Sequence, residues 1–196
     1  MRAFSVVGWG VTVAGALPGL WLWGQWWTGG LGFVPDEPLL HWTGRFALIF
    51  LVATLALGPL HLLTRWKPVF AARRPMGLWS FGYAASHVAI WLFLDQAGIW
   101  EFAWAEITSM LHVQLGLAAL LLLLPLALTS TNAALKALTL RRWNALHLLV
   151  WPAVLIALAH AWMVARFENP LVLGLGALVL VMLTTRLIAA LRGTGR

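Results

Sequence analysis

Residues 113–128 read VQLGLAALLLLLPLAL, and residues 170–185 read PLVLGLGALVLVMLTT; neither stretch contains a charged side chain. Apolar runs of this length are typical of membrane spans, because about 20 helical residues cross the hydrocarbon core of a bilayer. Backbone N–H and C=O groups cannot stay unpaired in hydrocarbon, so each run is predicted to be an α-helix. These two stretches therefore predict a membrane protein built from helices.

The rest of the 196-residue chain extends this prediction, since 62% of its residues are hydrophobic and only 10% are charged. A soluble domain carries roughly 25% charged residues. The predicted fold class is an all-α membrane protein with about six transmembrane helices in a single transmembrane domain, residues 1–196. The predicted spans are residues 4–23, 44–63, 77–96, 113–131, 143–164 and 170–190.

The charged residues of the loops predict an orientation. One predicted side of the membrane carries all six acidic residues and only two basic residues, Arg45 and Arg166. The opposite side carries the other 11 of the 13 basic residues. Basic loops face the cytoplasm under the positive-inside rule, so both termini are predicted to be cytoplasmic in a bacterial inner membrane. The 11 basic residues are Arg2, Arg65, Lys67, Arg73, Arg74, Lys136, Arg141, Arg142, Arg186, Arg192 and Arg196.

The first span has an alternative interpretation as a cleavable signal, because Arg2, an apolar stretch and Ala14-Gly15-Ala16 resemble such a segment. The apolar stretch continues to Trp23, which is long for a signal core and favours a retained span. Loss of this span would leave the remaining topology unchanged.

Composition excludes several kinds of chemistry. The chain has no cysteine, which excludes disulfides, iron–sulfur clusters and thiolate metal sites. The glycine clusters at residues 29–32 and 174–176 do not follow a strand or complete a dinucleotide-binding pattern, so no NAD(P)H site is predicted. The spans contain no paired carboxylates, which argues against a proton-driven pump or a metal hydrolase.

Histidines are the main chemical resource of the predicted spans. His87 is predicted near the middle of span three, and His160 beyond the middle of span five. An imidazole at such depth is costly unless it has a partner, and binding to haem iron provides one. Because bis-histidine ligation takes one ring from each of two helices, His87 and His160 are the predicted axial ligands of haem b.

The surroundings of these histidines leave alternatives open. Ala153, Ala157 and His160 share one helical face, which suits either a slot for a macrocycle or simple close packing of helices. His147 lies thirteen residues before His160 and points about 140° away from it on a straight helix, unless Pro152 rewinds the segment. His147 could hold a second haem or be a hydrogen-bonded core residue.

The other candidates lie nearer the span ends. Arg45 could pair with a haem propionate or extend to the lipid headgroups. His61 and His112 are predicted to be interfacial residues rather than ligands. His41 is intermediate between these two residues and the buried histidines.

Several segments together resemble the MsrQ (YedZ) family, the haem-binding membrane subunits of the periplasmic methionine sulfoxide reductase system. The resemblance runs from about Pro18 to Arg186. The segments that carry it are residues 29–32, 41–45, 53–55, 59–60, 73–74, 77–79, 128–131, 142–143 and 146–147, together with His87 and His160.

This resemblance implies a ferric-reductase-like haem-binding bundle, with haem b on His87 and His160 and His147 as a further ligand candidate. It implies electron transfer from the quinone pool, with a quinol or a flavin reductase as donor and FMN as an associated cofactor. The implied acceptor is the periplasmic molybdopterin reductase MsrP, which repairs oxidised proteins. The chain would then be an electron-transfer subunit rather than the catalytic one. The alternatives are another b-type cytochrome, such as a ferric reductase or a dehydrogenase anchor, and a cofactor-free membrane protein.

Overall fold

The computed structural model describes residues 6–165 and 169–193, and these form a bundle of helices. A π-helical segment, Trp91–Asp95, continues the third helix. Arg2, Arg166, Glu168 and Arg196, which contributed to the predicted orientation, lie outside the described residues. The helices are α1 Val6–Trp27, α2 Asp36–Thr64, α3 Val69–Ile90, α4 Trp100–Ser109, α5 Leu111–Leu128, α6 Asn132–His147, α7 Val150–Val164 and α8 Pro170–Gly193.

Six helical segments in the described part of the chain are long and apolar enough to cross a membrane. The π-helical segment extends α3 into one of them, and α6 and α7 together form another. This confirms the predicted all-α fold with about six transmembrane helices. Two helices extend beyond the predicted spans: α2 begins at Asp36, before the span predicted from residue 44, and α3 begins at Val69, before the span predicted from residue 77. The reason is that their first turns carry polar residues, which hydropathy assigns to loops although the backbone is already helical.

Two pairs of helices form the centre of the bundle. The first helix pair is α2 with α3, and the second helix pair is α5 with α7; each packs more extensively than any other combination. Val52 of α2, Val154 of α7 and Val179 of α8 are almost completely buried where the pairs meet. Because lipid is as apolar as these side chains, close van der Waals packing rather than hydrophobic burial holds the pairs together.

The alternating direction of the spans gives the bundle two chemically different ends. We define the acidic end as the one where α3 and α7 end and α2, α5 and α8 begin; it carries Asp36, Glu37, Asp95, Glu101 and Glu106. The basic end, on the opposite side, carries Arg65, Lys67, Arg73, Arg74, Lys136, Arg141, Arg142 and Arg186.

Helix α1 is attached to α3 through an inserted hydroxyl group. Pro18 lies inside α1 and has no N–H to donate to the preceding turn. The Tyr83 hydroxyl donates to the Gly15 carbonyl at 2.7 Å and accepts from the Gly19 N–H at 2.8 Å. In an uninterrupted helix those two backbone groups would pair with each other, so the Tyr83 hydroxyl takes the place of one backbone hydrogen bond of α1.

A tight turn separates α6 from α7. Leu148, Leu149 and Trp151 each donate a backbone hydrogen bond to the residue three positions earlier, at 3.2, 3.0 and 3.1 Å. This is 3₁₀ geometry, and it lies immediately before Pro152, which cannot donate within the first turn of α7. The helical winding therefore changes just before Pro152, and His147 and His160 lie on separate helices without sharing a cavity.

Candidate functional site

His87 and His160 face each other across the space between the two helix pairs. His87 is on α3 and His160 is on α7, and their ring centroids are 6.1 Å apart with the ring planes at 82°. Both rings line one cavity. The structure therefore brings together the two histidines predicted to act as a pair, although they are 73 positions apart in the chain.

Hydrogen bonds fix the tautomer of both rings. His87 Nδ1 is 2.9 Å from the Leu40 carbonyl of α2, and His160 Nδ1 is 2.7 Å from the His112 carbonyl of α5. A carbonyl oxygen can only accept, so each Nδ1 must carry the hydrogen. In the neutral ring Nε2 is then unprotonated, which is the form of imidazole that binds a metal ion.

Two glycines allow the rings to approach the neighbouring helices. A Cβ atom added to Gly44 of α2 would be 3.2 Å from the His87 ring, and one added to Gly116 of α5 would be 3.1 Å from the His160 ring. Both distances are shorter than ordinary contacts of a Cβ atom. Each imidazole therefore rests on bare helix backbone rather than on a side chain.

The cavity has a volume of about 640 Å³, within the roughly 300–1,000 Å³ typical of sites for small molecules and cofactors. Its deeper wall is apolar and includes Leu48, Leu51 and Leu123. Its mouth is polar and lies at the acidic end, where the lining residues include Glu37, His41, Arg45, Asp95, Glu106 and Asn169. The Trp91 indole donates to Glu106 at 3.0 Å and so ties α4 to the π-helical segment at this mouth.

The histidine pair fits the haem predicted from the sequence. An imidazole nitrogen lies about 2.0 Å from a bound first-row metal and roughly 1.1 Å from its ring centroid, so rings on opposite sides of one metal have centroids about 6 Å apart. The observed 6.1 Å agrees with that distance. Crossed ring planes are compatible with axial ligation, because rotating a ring about its metal–nitrogen bond leaves the bond intact. The apolar wall and polar mouth suit a flat macrocycle that carries carboxylates at one edge.

Two other predicted features also lie at this cavity. Arg45 lines its mouth, with its guanidinium carbon 5.1 Å from the centroid of the Trp42 ring. Ala157 lines the wall one turn before His160. Ala153, predicted to share that face, is instead completely buried in the packing between helices.

His147 lies away from this cavity, near the end of α6. Its ring stacks on Trp143 with centroids 3.6 Å apart, and its Nδ1 is 3.0 Å from the Trp143 carbonyl. The aromatic ring against it is thus an indole, not a second imidazole. His61 is half-buried near the basic end, with its ring centroid 4.3 Å from that of Phe70.

Three residues at the site were not predicted from the sequence. His112 lies in the first turn of α5, near the helix end as predicted, but it also lines the cavity and its ring centroid is 6.3 Å from that of His160. The roles of Gly44 and Gly116 were not predicted either. The sequence does contain one regularity: each glycine lies four positions after the residue whose carbonyl accepts the histidine hydrogen bond. That carbonyl, however, can be identified only once the fold is known.

Comparison with known proteins gives a consistent family assignment. Residues 43–158 match the family described as "Ferric reductase like transmembrane component", a range that includes Gly44, His87 and Gly116 and ends just before His160. Three similar relatives share the name "Protein-methionine-sulfoxide reductase heme-binding subunit MsrQ".

The relative from Rhodospirillum rubrum is 37% identical over 182 residues, which cover 93% of this chain and 88% of the relative. The one from Xanthomonas euvesicatoria is 39% identical over 182 residues, covering 90% of this chain and 83% of the relative. The one from Xanthomonas axonopodis is 40% identical over 155 residues, covering 78% and 71%. With such similarity over most of its length, this chain belongs to the MsrQ family of ferric-reductase-like transmembrane proteins.

Proposed function

We propose that this chain is the haem b-binding electron-transfer subunit of a methionine sulfoxide reductase system. In this proposal it carries electrons from the quinone pool to a periplasmic molybdopterin reductase, MsrP, which repairs oxidised proteins. The observation that carries the proposal is the pairing of His87 and His160 at 6.1 Å across one cavity. The relatives' name, which describes a heme-binding subunit of a protein-methionine-sulfoxide reductase, gives the system.

The residues around the cavity would share the work of holding the haem. His87 and His160 would bind the iron, and the Leu40 and His112 carbonyls keep their Nδ1–H groups turned away from it. Arg45 would neutralise a propionate at the polar mouth. The bound haem supplies a one-electron couple between ferric and ferrous iron. The leucine-rich wall excludes water from the pair.

The position of the pair supports transfer toward the acidic end. Gly44 and Gly116 lie in the early turns of α2 and α5, and His160 lies near the end of α7. All three lie nearer the acidic end than the basic end of their helices, so the pair lies in the half of the bundle next to the acidic end. An acceptor docked at the acidic end would therefore be closer to the pair than a donor at the basic end.

Three finer elements of the proposal rest on the family resemblance: quinol or a flavin reductase as donor, MsrP as acceptor and FMN as a further cofactor. His147 lies outside the cavity, so the proposal assigns one haem to the cavity. A second haem on His147 remains a prediction, and haem counting tests it.

The proposal is tested by a redox-titrated visible spectrum of the purified protein, with haem quantified per chain. We expect a Soret band, a sharp α-band on reduction and at least one haem per chain. Two haems per chain would support the additional site at His147. A colourless protein, prepared with haem supplied in excess, would contradict the proposal.

The second candidate is another b-type cytochrome, which the description of the matching family as ferric-reductase-like favours. The two candidates differ in the electron acceptor. If the proposed function is right, a periplasmic molybdopterin reductase should reoxidise the reduced protein. If the second candidate is right, a ferric chelate should reoxidise it and the molybdopterin reductase should not. Stopped-flow measurement of haem reoxidation distinguishes the two.

The proposal places the basic end and both termini in the cytoplasm of a bacterium, with the acidic end in the periplasm. The chain has no cysteine, so single reporter thiols can be introduced at exposed Glu101 and Lys136. In cells with a permeable outer membrane, a membrane-impermeant maleimide should label Glu101→Cys, and should label Lys136→Cys only after lysis. The opposite labelling pattern would reverse the orientation.

A further inference from the structure

We propose that Gly44 and Gly116 are positioning residues that set the distance and hydrogen bonding of the two haem-binding imidazoles. Each glycine lets one ring settle onto the backbone of the partner helix in its pair, where a carbonyl holds the ring's Nδ1–H group. This inference rests on the proposed function, because it concerns how the two rings are presented to a haem.

The same arrangement occurs twice, once in each helix pair. In the first pair, His87 of α3 donates to the Leu40 carbonyl and its ring lies against Gly44, four residues after Leu40. In the second pair, His160 of α7 donates to the His112 carbonyl and its ring lies against Gly116, four residues after His112. We refer to these two arrangements as the cradles.

Helix geometry explains the spacing of four. A carbonyl in an α-helix accepts from the N–H four residues later and keeps a second lone pair free. Side chains on a helix lean toward its N-terminus and cover the preceding turn. The side chain four residues later would therefore cover that lone pair, and only glycine leaves it open to a ring from a neighbouring helix.

Space is limited at both cradles. A methyl group on Gly44 or Gly116 would lie 3.2 or 3.1 Å from ring atoms, so the ring would have to move by a few tenths of an ångström. It could move only away from the carbonyl and into the cavity, toward the opposite imidazole. The hydrogen bonds of 2.9 and 2.7 Å would lengthen, and the 6.1 Å separation of the rings would change.

This displacement has an electronic consequence as well as a steric one. Donation from Nδ1–H to a carbonyl makes the imidazole a more basic ligand, and loss of such an outer-sphere contact typically lowers metal affinity 10–100-fold. A more basic ligand favours ferric over ferrous iron. Weakening the hydrogen bond should therefore raise the midpoint potential, an effect that loosened packing alone would not produce.

The test compares glycine-to-alanine variants in otherwise unaltered protein. Gly44→Ala and Gly116→Ala should each lower haem affinity about 10–100-fold and shift the midpoint potential of the remaining haem upward. Gly82→Ala on α3 and Gly174→Ala on α8 are matched controls, because no atom lies within 4 Å of a Cβ added at either position. Alanine is a better helix former than glycine, so reduced helix propensity cannot explain a loss at the cradles.

The possible outcomes distinguish failure of the cradle proposal from failure of the proposed function. If cradle variants and controls bind haem with equal affinity and potential, the cradle proposal is overturned while the haem assignment stands. If the unaltered protein takes up no haem, the proposed function itself fails. If Gly44→Ala does not fold, Gly116→Ala decides: an upward shift supports the cradles, and an unchanged or lowered potential overturns them. Electron paramagnetic resonance of the ferric protein gives an independent record of the ligand geometry.

Discussion

Alanine at His87 or at His160 should leave the purified protein with little haem. Each substitution removes one of the two proposed haem ligands from a cavity whose remaining lining is mostly apolar. The loss of affinity should exceed the roughly 10–100-fold typical of outer-sphere contacts, because a direct bond to iron is lost. The measurement is Soret absorbance per chain after purification with haem supplied in excess.

His61→Ala is the matched control for these variants. His61 is half-buried near the basic end and does not line the cavity, so its removal should leave the haem content unchanged. Full haem retention in both His87→Ala and His160→Ala would refute the assignment of the axial ligands.

The His112 ring offers a rival pairing that the same experiment can decide. Its centroid is 6.3 Å from that of His160, close to the separation of the predicted pair. His87 is favoured because its Nδ1–H is held by a carbonyl, which leaves Nε2 unprotonated. Haem loss in His112→Ala together with haem retention in His87→Ala would assign the iron to His112 and His160 instead.

Filling the cavity should expel haem while both histidines remain. Ala84 lines the cavity one turn before His87 and packs against the buried core. Ala84→Phe should place an aromatic ring in the space that a macrocycle needs, and this space is bounded by closely packed helices that yield little. The expected result is a protein with normal helical content by circular dichroism that retains little haem.

Ala89→Phe is the matched control because Ala89 is on the same helix, is exposed and does not line the cavity. It should bind haem like the unaltered protein. Equal haem binding by Ala84→Phe and Ala89→Phe would indicate that the cofactor is not held in this cavity, even if the histidine variants lose it. The pair of variants therefore tests the location of the cofactor separately from its ligands.

The sequence was sufficient for the apolar parts of the fold. Hydropathy identified all six spans because continuous apolar residues report the hydrocarbon thickness directly. It did not predict the helical turns beyond that thickness, such as the start of α2 at Asp36. Charged and polar residues there lower the hydropathy, although their backbone hydrogen bonds continue the helix.

The two facing histidines could be predicted from the sequence, but the groups that surround them could not. His87 and His160 could be selected because an ionisable ring inside an apolar span is costly without a partner. The Leu40 and His112 carbonyls could not be selected in this way, because each is 47 or 48 positions away in sequence from the imidazole whose hydrogen bond it accepts. Such contacts depend on how the helices are paired and rotated, which periodicity in one sequence does not determine.

The Tyr83 hydroxyl, which bridges two backbone groups of α1, has a consequence for the order in which the helices assemble in the membrane. During synthesis α1 emerges before α3, and at that stage the Gly15 carbonyl and the Gly19 N–H have no tyrosine between them. In hydrocarbon these two groups can at that stage pair only with each other, as in an uninterrupted helix. The hydroxyl bridge therefore forms only after α3 has been inserted and docked. Helix α1 thus depends on a span that is made later to complete its native hydrogen bonding.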